Sequence, residues 1–449
     1  MSTVRHMLHI VLASRILICY LATPCIADCD RSHTRRARSW YRKIDEELVA
    51  YDIRPSGSLN QSMVATINAS LLTSTRALIE RRQEQVVELI RRLVEIESPS
   101  GDEQGSLAVN KLLESESREI PSVATVERIA SPNCGEHLLI RAFCERGNGN
   151  RSTLLLGHTD TVHARSSLQT YMKDGRLYGP GAFDMKASCV IAIEALRCLS
   201  EFAIVPQRPV TLLLTCDEEI GSVTGRSLVE REASRAEQVL VLEPPAPGGC
   251  AKTARKGVGT WSISAQGIAS HAGLEPEKGA SAILELARQT ARLHSLNDSL
   301  PGTSFNVGVI RGGTRSNVVA AQAEMEVDAR FSKMAEAARL ENLMSTLQPF
   351  DQRVKLTIKG GVNRGPLERT AAVMKLFHHA RDIAAQIGFD LGECSVGGAS
   401  DGNFAAALNV PVLDGLGVDG DGAHAAHEHI LLSDIAPRTA LLAGLVASL

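Results

Sequence analysis

Four short apolar runs, at 153–156, 210–214, 239–242 and 410–413, constrain this chain more than any other feature. Each is dominated by Val and Leu, is too short for a buried helix, and lacks the alternation of a half-exposed strand. Each therefore reads as a strand covered on both faces. Helical periodicity lies between the early runs, as at 187–199. Alternation of this kind predicts an α/β fold around a mostly parallel central sheet. Upstream, Leu78, Ile79, Val86, Leu89, Ile90 and Leu93 recur at helical spacing, so folded structure is expected to begin near Thr75. Ser98-Pro99-Ser100-Gly101 ends that helix.

The rhythm changes between 251 and 361. Residues 259–267 alternate polar and apolar, 280–296 are helical, and 305–310 and 323–331 read as strands. A helix at 335–347 and a strand at 354–358 complete a β-α-β-β-α-β order, that of a two-layer, ferredoxin-like α+β domain. Strand-and-helix alternation resumes afterwards, which makes this a domain inserted into the first, with glycine joints at Gly248-Gly249 and Gly360-Gly361. The expected organisation is an N-terminal extension (1–73), a first catalytic part (74–250), a lid and dimerisation domain (251–363) and a second catalytic part (364–449).

Composition narrows the function classes. With 44% hydrophobic and 22% charged residues the chain can bury a large core, which excludes a disordered protein. A net charge of −3 excludes a general nucleic-acid binder, and the absence of a run of 18 apolar residues excludes a membrane span. Ten cysteines without a CxxC form neither a disulfide framework nor a thiolate zinc cluster. The first 43 residues hold eight Lys/Arg against two Asp. They admit two readings: a disordered or mis-started extension, with Met63 as a possible start, giving a cytoplasmic protein, or an export signal ending near Ala27, giving a periplasmic or secreted one.

The chemistry gathers at the carboxyl ends of the four runs, where open α/β sheets bind ligands. The first leads into His158-Thr159-Asp160, the second into Cys216-Asp217-Glu218-Glu219, the third into Glu243, and the fourth through a glycine-rich loop to His424. Asp184 sits in a Gly-Pro-Gly loop just before a predicted helix. Histidine and carboxylate donors without thiolates suit zinc, with cobalt or manganese as substitutes. Two divalent cations bring +4 against −3 from Asp184, Glu219 and Glu243, and one hydroxide closes the balance. Asp184 is the natural bridge. His158 with Glu243, and Glu219 with His424, is one pairing that the spacing permits, but it leaves the pairing open. If Glu219 is a ligand, its neighbour Glu218 points elsewhere and is free to act as general base and acid towards water and the leaving nitrogen.

Taken together, GHTDTV, GPGAFDMK, CDEEIGS, VLEP and GAHAAHEHI resemble the motifs of the dinuclear zinc aminoacylase/carboxypeptidase family. That family includes glutamate carboxypeptidase, acetylornithine deacetylase, succinyl-diaminopimelate desuccinylase and aminoacylase, and the likeness spans 75–449. It implies His158, Asp184, Glu219, Glu243 and His424 as metal ligands, Asp160 as the support of His158, and Glu218 as the catalytic base. It also implies that the inserted domain is a lid and homodimer interface. Within it, His271 of a Ser-His-Ala-Gly segment would reach the partner's site, while Asn317, Arg330 and Lys256 would hold the substrate carboxylate. His427 and His429 are expected to be structural or to support the ligands without touching the metal. Gly397-Gly398-Ala399-Ser400-Asp401 is similar to a substrate-facing glycine loop.

The resulting expectation is a two-zinc amidohydrolase, glutamate carboxypeptidase-like, acting on small N-acyl or peptidyl amino acids. An N-acyl-amino-acid deacylase or a dipeptidase is the near alternative. A catalytically silent binding member would be expected to lack Glu218 or a ligand, and a single-metal aminopeptidase would carry HExxH; neither condition holds.

Overall fold

The computed structural model describes residues 59–144, 151–297 and 302–449, with side chains from Ser70 onward. Its centre is a six-stranded sheet in the order Val123–Ser131, Gly135–Ala142, Val210–Thr215, Ser152–His158, Ala236–Val241, Val412–Leu413. The last four of these are mutually parallel and correspond to the four apolar runs. The first two form an antiparallel edge that the apolar-run pattern does not reveal.

Burial follows the pleat. Leu155, Leu212 and Leu214 face a core shared with the helices Gln83–Glu95, Ala187–Glu201, Ala371–Ile387 and Ile435–Ser448. Leu154, Leu156 and Leu213 face the opposite layer with Val229 and Phe404. Because both faces are covered, neither set of alternating positions meets water, which is why the runs are near-continuously apolar; Thr153 and Thr211 within them are buried too. Full burial of each Leu contributes about 1.5–3 kcal/mol.

The polypeptide packs earlier than the Thr75 expectation. A helix spans Leu59–Arg81, and Leu71 and Leu72 belong to the main core. The rest of the extension, including the candidate export signal, lies outside the described residues. No described helix is long and apolar enough to cross a membrane.

A second sheet has the order Ser304–Gly312, Gln322–Phe331, Gly257–Gln266, Lys355–Arg364, antiparallel throughout. Two helices, Ala282–Ser295 and Met334–Ser345, pack against this sheet, and a separate core forms around Ile263, Leu286, Val327, Phe331 and Leu340. The strand Gly257–Gln266 shows the period-2 burial that its sequence predicts.

The joints differ from those expected. Ala251–Arg255 pairs in parallel with Glu393–Val396 and so belongs with the larger unit. Gly360-Gly361 lies inside the strand Lys355–Arg364 rather than at a hinge. Gly360 has φ +117°, and a Cβ there would fall 2.1 Å from the Thr260 carbonyl oxygen, so glycine serves close strand packing. The chain enters the second sheet after Lys256 and leaves it before Gly365.

A third, small antiparallel sheet positions the site. It runs Gly420–Asp421, His429–Leu431, Arg176–Tyr178, Tyr171–Lys173. Pairing of His429 with Tyr178 brings the loop carrying His424 against the loop carrying Asp184.

Candidate metal centre

Each strand end delivers its side chain to one place. His158 closes its strand with the ring buried. Its Nδ1 lies 3.0 Å from the backbone oxygen of Asp160 and 3.4 Å from that residue's Oδ1. The Asp160 carboxylate is instead occupied by the backbone N–H groups of Glu218 and Glu219, both at 3.1 Å, and by the Ser100 hydroxyl at 2.7 Å. Asp160 thus orients His158 mainly through its carbonyl, while its carboxylate fixes the turn bearing the two glutamates.

With Nδ1 directed at Asp160, Nε2 of His158 faces outward. It lies 3.1 Å from Asp184 Oδ1 and 3.4 Å from Glu243 Oε1. On the far side of Asp184, Oδ2 lies 3.5 Å from Nε2 of His424, which is itself 3.2 Å from Glu219 Oε2. Asp184 therefore divides its two oxygens between two histidine–glutamate pairs, matching the pairing His158/Glu243 and His424/Glu219. His424 reaches this point from a left-handed conformation, φ +62°.

The donor set fits divalent cations. Glu219 Oε1 is buried with no hydrogen-bond partner, although an orphaned carboxylate oxygen is costly. Contacts with Asp184 and Glu219 push the His424 imidazole up to about 10. Burial opposes the charging of His158, yet Asp160, Asp184 and Glu243 still raise it well above the usual imidazole range. Both histidines thus sit where the carboxylates demand positive charge. His158, Asp184 and Glu219 offer ligand atoms within 4.8 Å of one another, as do His158, Glu218 and Glu243.

Glu218 stands beside this cluster on a single helical turn, Glu218–Ile220. Burial pushes its carboxyl up to about 8, against the pull of Arg364. Arg364 Nη1 lies 2.5 Å from Glu218 Oε1, and Nη2 lies 2.7 Å from the Ser222 hydroxyl and 3.2 Å from Asp401 Oδ1. Its guanidinium also stacks 4.8 Å above the Phe404 ring. Sequence reasoning passed over Arg364. An Arg-Gly-Pro step at a strand end carries no periodicity, and its partner is 146 residues away.

A cleft of about 720 Å³ is lined by Glu218, Glu219 and His424 together with Arg330, Arg364 and Gly398. Arg330 is engaged in a bidentate pair with Asp328 of its own strand, at 2.8 and 2.9 Å. Lys256 is half-buried at the joint, its backbone N–H bonded to Val396. His271 and Asn317 are exposed neighbours: Ala272 N–H donates to the Asn317 carbonyl, and His271 Nδ1 accepts from Gly273 and Leu274. Neither lines this cleft. His427 lies 4.0 Å from Asp421, and the His429 ring packs at a tilt against Tyr178, with centroids 4.8 Å apart.

Arg255 is a second residue that sequence reasoning missed. It is buried, clamps Asp414 through two bonds at 2.7 and 2.8 Å, and touches Glu243 Oε2 at 3.3 Å. Its remaining Nη1 reaches the Gly398 carbonyl in the glycine loop.

The family model described as Peptidase family M20/M25/M40 matches residues 154–448. Carboxypeptidase G2 of Pseudomonas sp. (strain RS-16) is 28% identical over 419 residues, 88% of this chain and 99% of that protein. A succinyl-diaminopimelate desuccinylase of Verminephrobacter eiseniae (strain EF01-2) is 29% identical over 308 residues, 64% of this chain and 75% of that protein. Among solved structures, the Bacillus subtilis YXEP protein, described as a dinuclear metal-binding peptidase of the M20 family, has TM-score 0.60 at 16% identity, covering 82% of this chain and 99% of its own. Aminopeptidase PepT from Bacillus cereus has TM-score 0.66 at 23% identity, covering 81% and 98%. With the fold and the matched residues in agreement, the chain belongs to peptidase family M20/M25/M40 and is an enzyme, a metal-dependent hydrolase.

Proposed function

We propose that this enzyme hydrolyses the amide bond to an amino acid bearing a free carboxylate, in the manner of a glutamate carboxypeptidase. The observation that carries the reading is Asp184, whose two oxygens face two separate histidine–glutamate pairs beside a cleft with a buried glutamate. His158 and Glu243 would hold one zinc ion and His424 and Glu219 a second, with Asp184 between. Bound there, the ions would acidify water and polarise the scissile carbonyl.

The protein's own groups do the rest. Glu218 accepts a proton from the attacking water and delivers it to the departing nitrogen; the carboxyl stays close because Arg364 and the turn fixed by Asp160 hold it. No covalent intermediate is required. Arg330 gives the cleft wall a cation for the substrate carboxylate after exchanging Asp328 for the ligand. Lys256 adds a further cation at the joint.

The four-stranded unit is proposed as a lid and homodimer surface. His271 and Asn317 are exposed and stand off their own cleft, and Ser304–Gly312 is an open edge strand, so both residues are available to a partner's site. The working compartment is proposed to be the cytoplasm.

The test is a substrate panel. Zinc-loaded enzyme should cleave N-acyl and peptidyl amino acids, with preference for glutamate or aspartate as the leaving residue, and chelation should abolish turnover. A broad aliphatic preference would replace the carboxypeptidase reading with a deacylase one. Absence of amide hydrolysis across the panel, with zinc restored, would overturn it.

A further inference from the structure

Three ligand-bearing loops meet at one carboxylate that is not itself close to either histidine of the cluster. Glu428 is buried, 1% exposed. Its Oε1 accepts the backbone N–H groups of Phe183 and Asp184, both at 2.9 Å. Its Oε2 accepts the N–H of Gly181 at 3.0 Å and bonds His163 Nε2 at 2.7 Å. Four partners fill about all the acceptor sites of an ionised carboxylate. Glu428 also anchors through its backbone, its carbonyl receiving Gly179 N–H and its N–H reaching Ala425 in the turn just after His424.

The partners come from three places. Residues 179–184 carry Asp184, His163 lies five positions beyond His158, and Glu428 lies four beyond His424. One side chain therefore ties together the segments that supply His158, Asp184 and His424. Its most direct hold is on the amide of Asp184, the residue whose two oxygens must serve two sides at once. Rotation of that peptide would swing one oxygen away from His158 or His424. Within the turn the Ala182 and Lys186 N–H groups bond the Gly179 and Gly181 carbonyls, but the amides of Gly181 (left-handed, φ +72°), Phe183 and Asp184 are satisfied by Glu428.

We propose that Glu428 is a positioning residue for the metal centre, which sets the orientation of the Asp184 bridge by accepting the 181, 183 and 184 amides and by fastening the His158 and His424 loops to them. The proposal rests on the metal-centre reading above. A purely structural role would make Glu428 a loop stabiliser with no influence on how the site takes up cations.

The experiment compares full-length wild type, Glu428→Gln, His163→Ala and His163→Asn. An amide in place of the carboxylate presents a donor to a backbone donor, so Glu428→Gln loses at least one of the four bonds and the charge while keeping size. Zn2+ affinity is read by competition with a chromophoric chelator, and Co2+ coordination by its visible absorption spectrum. The thermal midpoint of the metal-free protein and the separate kcat and KM are also measured. Glu428→Gln should bind zinc roughly 10–100-fold more weakly and alter the Co2+ spectrum. At saturating zinc it should lower kcat with little change in KM. His163→Ala should move the same readouts in the same direction but less, and His163→Asn, which restores a donor, should recover part of the loss.

A Glu428→Gln protein with a lowered midpoint but wild-type zinc affinity and an unchanged Co2+ spectrum would overturn the proposal. Should that variant not fold, the His163 pair decides: unchanged zinc affinity and spectrum in His163→Ala overturn it equally. Failure of the parent reading looks different, because wild type itself would then take up no tightly bound zinc.

Discussion

Arg364 lies at the end of the last strand of the inserted unit and places Nη1 2.5 Å from Oε1 of Glu218 in the larger unit. The joint between the two units and the proposed base are thus held by one guanidinium, which also satisfies Ser222 and Asp401. Removing it leaves two buried carboxylates facing each other. Arg364→Met should cost about 3–5 kcal/mol in urea unfolding, the scale for breaking one side of a buried ion pair. Arg364→Lys keeps the charge but not the forked geometry, so it should retain most stability while losing kcat/KM. Equal loss of stability in both variants would show that the charge alone matters little here.

Glu218→Gln separates metal binding from proton transfer. The amide preserves shape and can still meet Arg364 through its carbonyl oxygen, so zinc uptake should be unchanged. Turnover should fall about 10²–10⁴-fold, the usual range for a general acid–base group. Retained turnover with full metal content would mean that another group moves the proton.

Chelation should destabilise the folded protein as well as silence it. Asp184, Glu219 and Glu243 crowd around two imidazoles, and Glu219 Oε1 has no partner of its own. Zinc that binds only the folded state at 100 times its dissociation constant adds about 2.7 kcal/mol. The thermal midpoint should therefore rise with added zinc and fall with chelator, and His424→Ala should blunt that response. A midpoint indifferent to zinc would contradict the proposed ligand set.

Much of this site was legible in the sequence because strand ends are where chain geometry and chemistry coincide. Thr-Leu-Leu-Leu-Gly-His is a strand running into a donor, and the same holds for Glu219 and Glu243. What stayed hidden depends on partners distant in sequence. Arg364 and Arg255 look like ordinary basic residues until Glu218, Asp401 and Asp414 are brought to them. Gly360-Gly361 resembles a hinge, yet it exists so that two strands can approach. The hairpin 420–431 is built from very short strands, below the length at which alternation can be recognised.

His137 supports the Glu218 loop from beneath and gives it a pH dependence. Its Nδ1 accepts Cys216 N–H at 3.2 Å, so Nε2 carries the proton and faces Thr224 Oγ1 at 3.0 Å; Thr224 in turn donates to Asp217. Burial lowers the His137 pKa, against the opposing influence of Asp217, Asp401 and Asp160. The unfolded imidazole takes up a proton below about 6.5, whereas the folded one resists until lower pH. Stability from this residue is therefore present above 6.5 and is lost as pH falls below it, with a slope approaching about 1.4 kcal/mol per pH unit for one proton. His137→Gln should be less stable at pH 8 but lose less than wild type between pH 6.5 and 5. Parallel urea-stability curves for the two proteins would remove His137 as the titrating group.

The proposed exchange of His271 between subunits can be tested without a structure of the dimer. In a Glu218→Gln subunit the base is lost but His271 is intact; in a His271→Ala subunit the reverse holds. If each site takes its histidine from the partner, a mixed dimer contains one site with both groups and one with neither. Random re-association of equal amounts makes half the dimers mixed, so activity should recover to roughly a quarter of wild type from two nearly inactive parents. If His271 instead serves its own subunit, every site in the mixture lacks one group and no recovery occurs. Exposure of His271 away from its own cleft favours the first outcome. The mixing experiment also reports on the dimer itself, since subunits that never associate cannot complement one another.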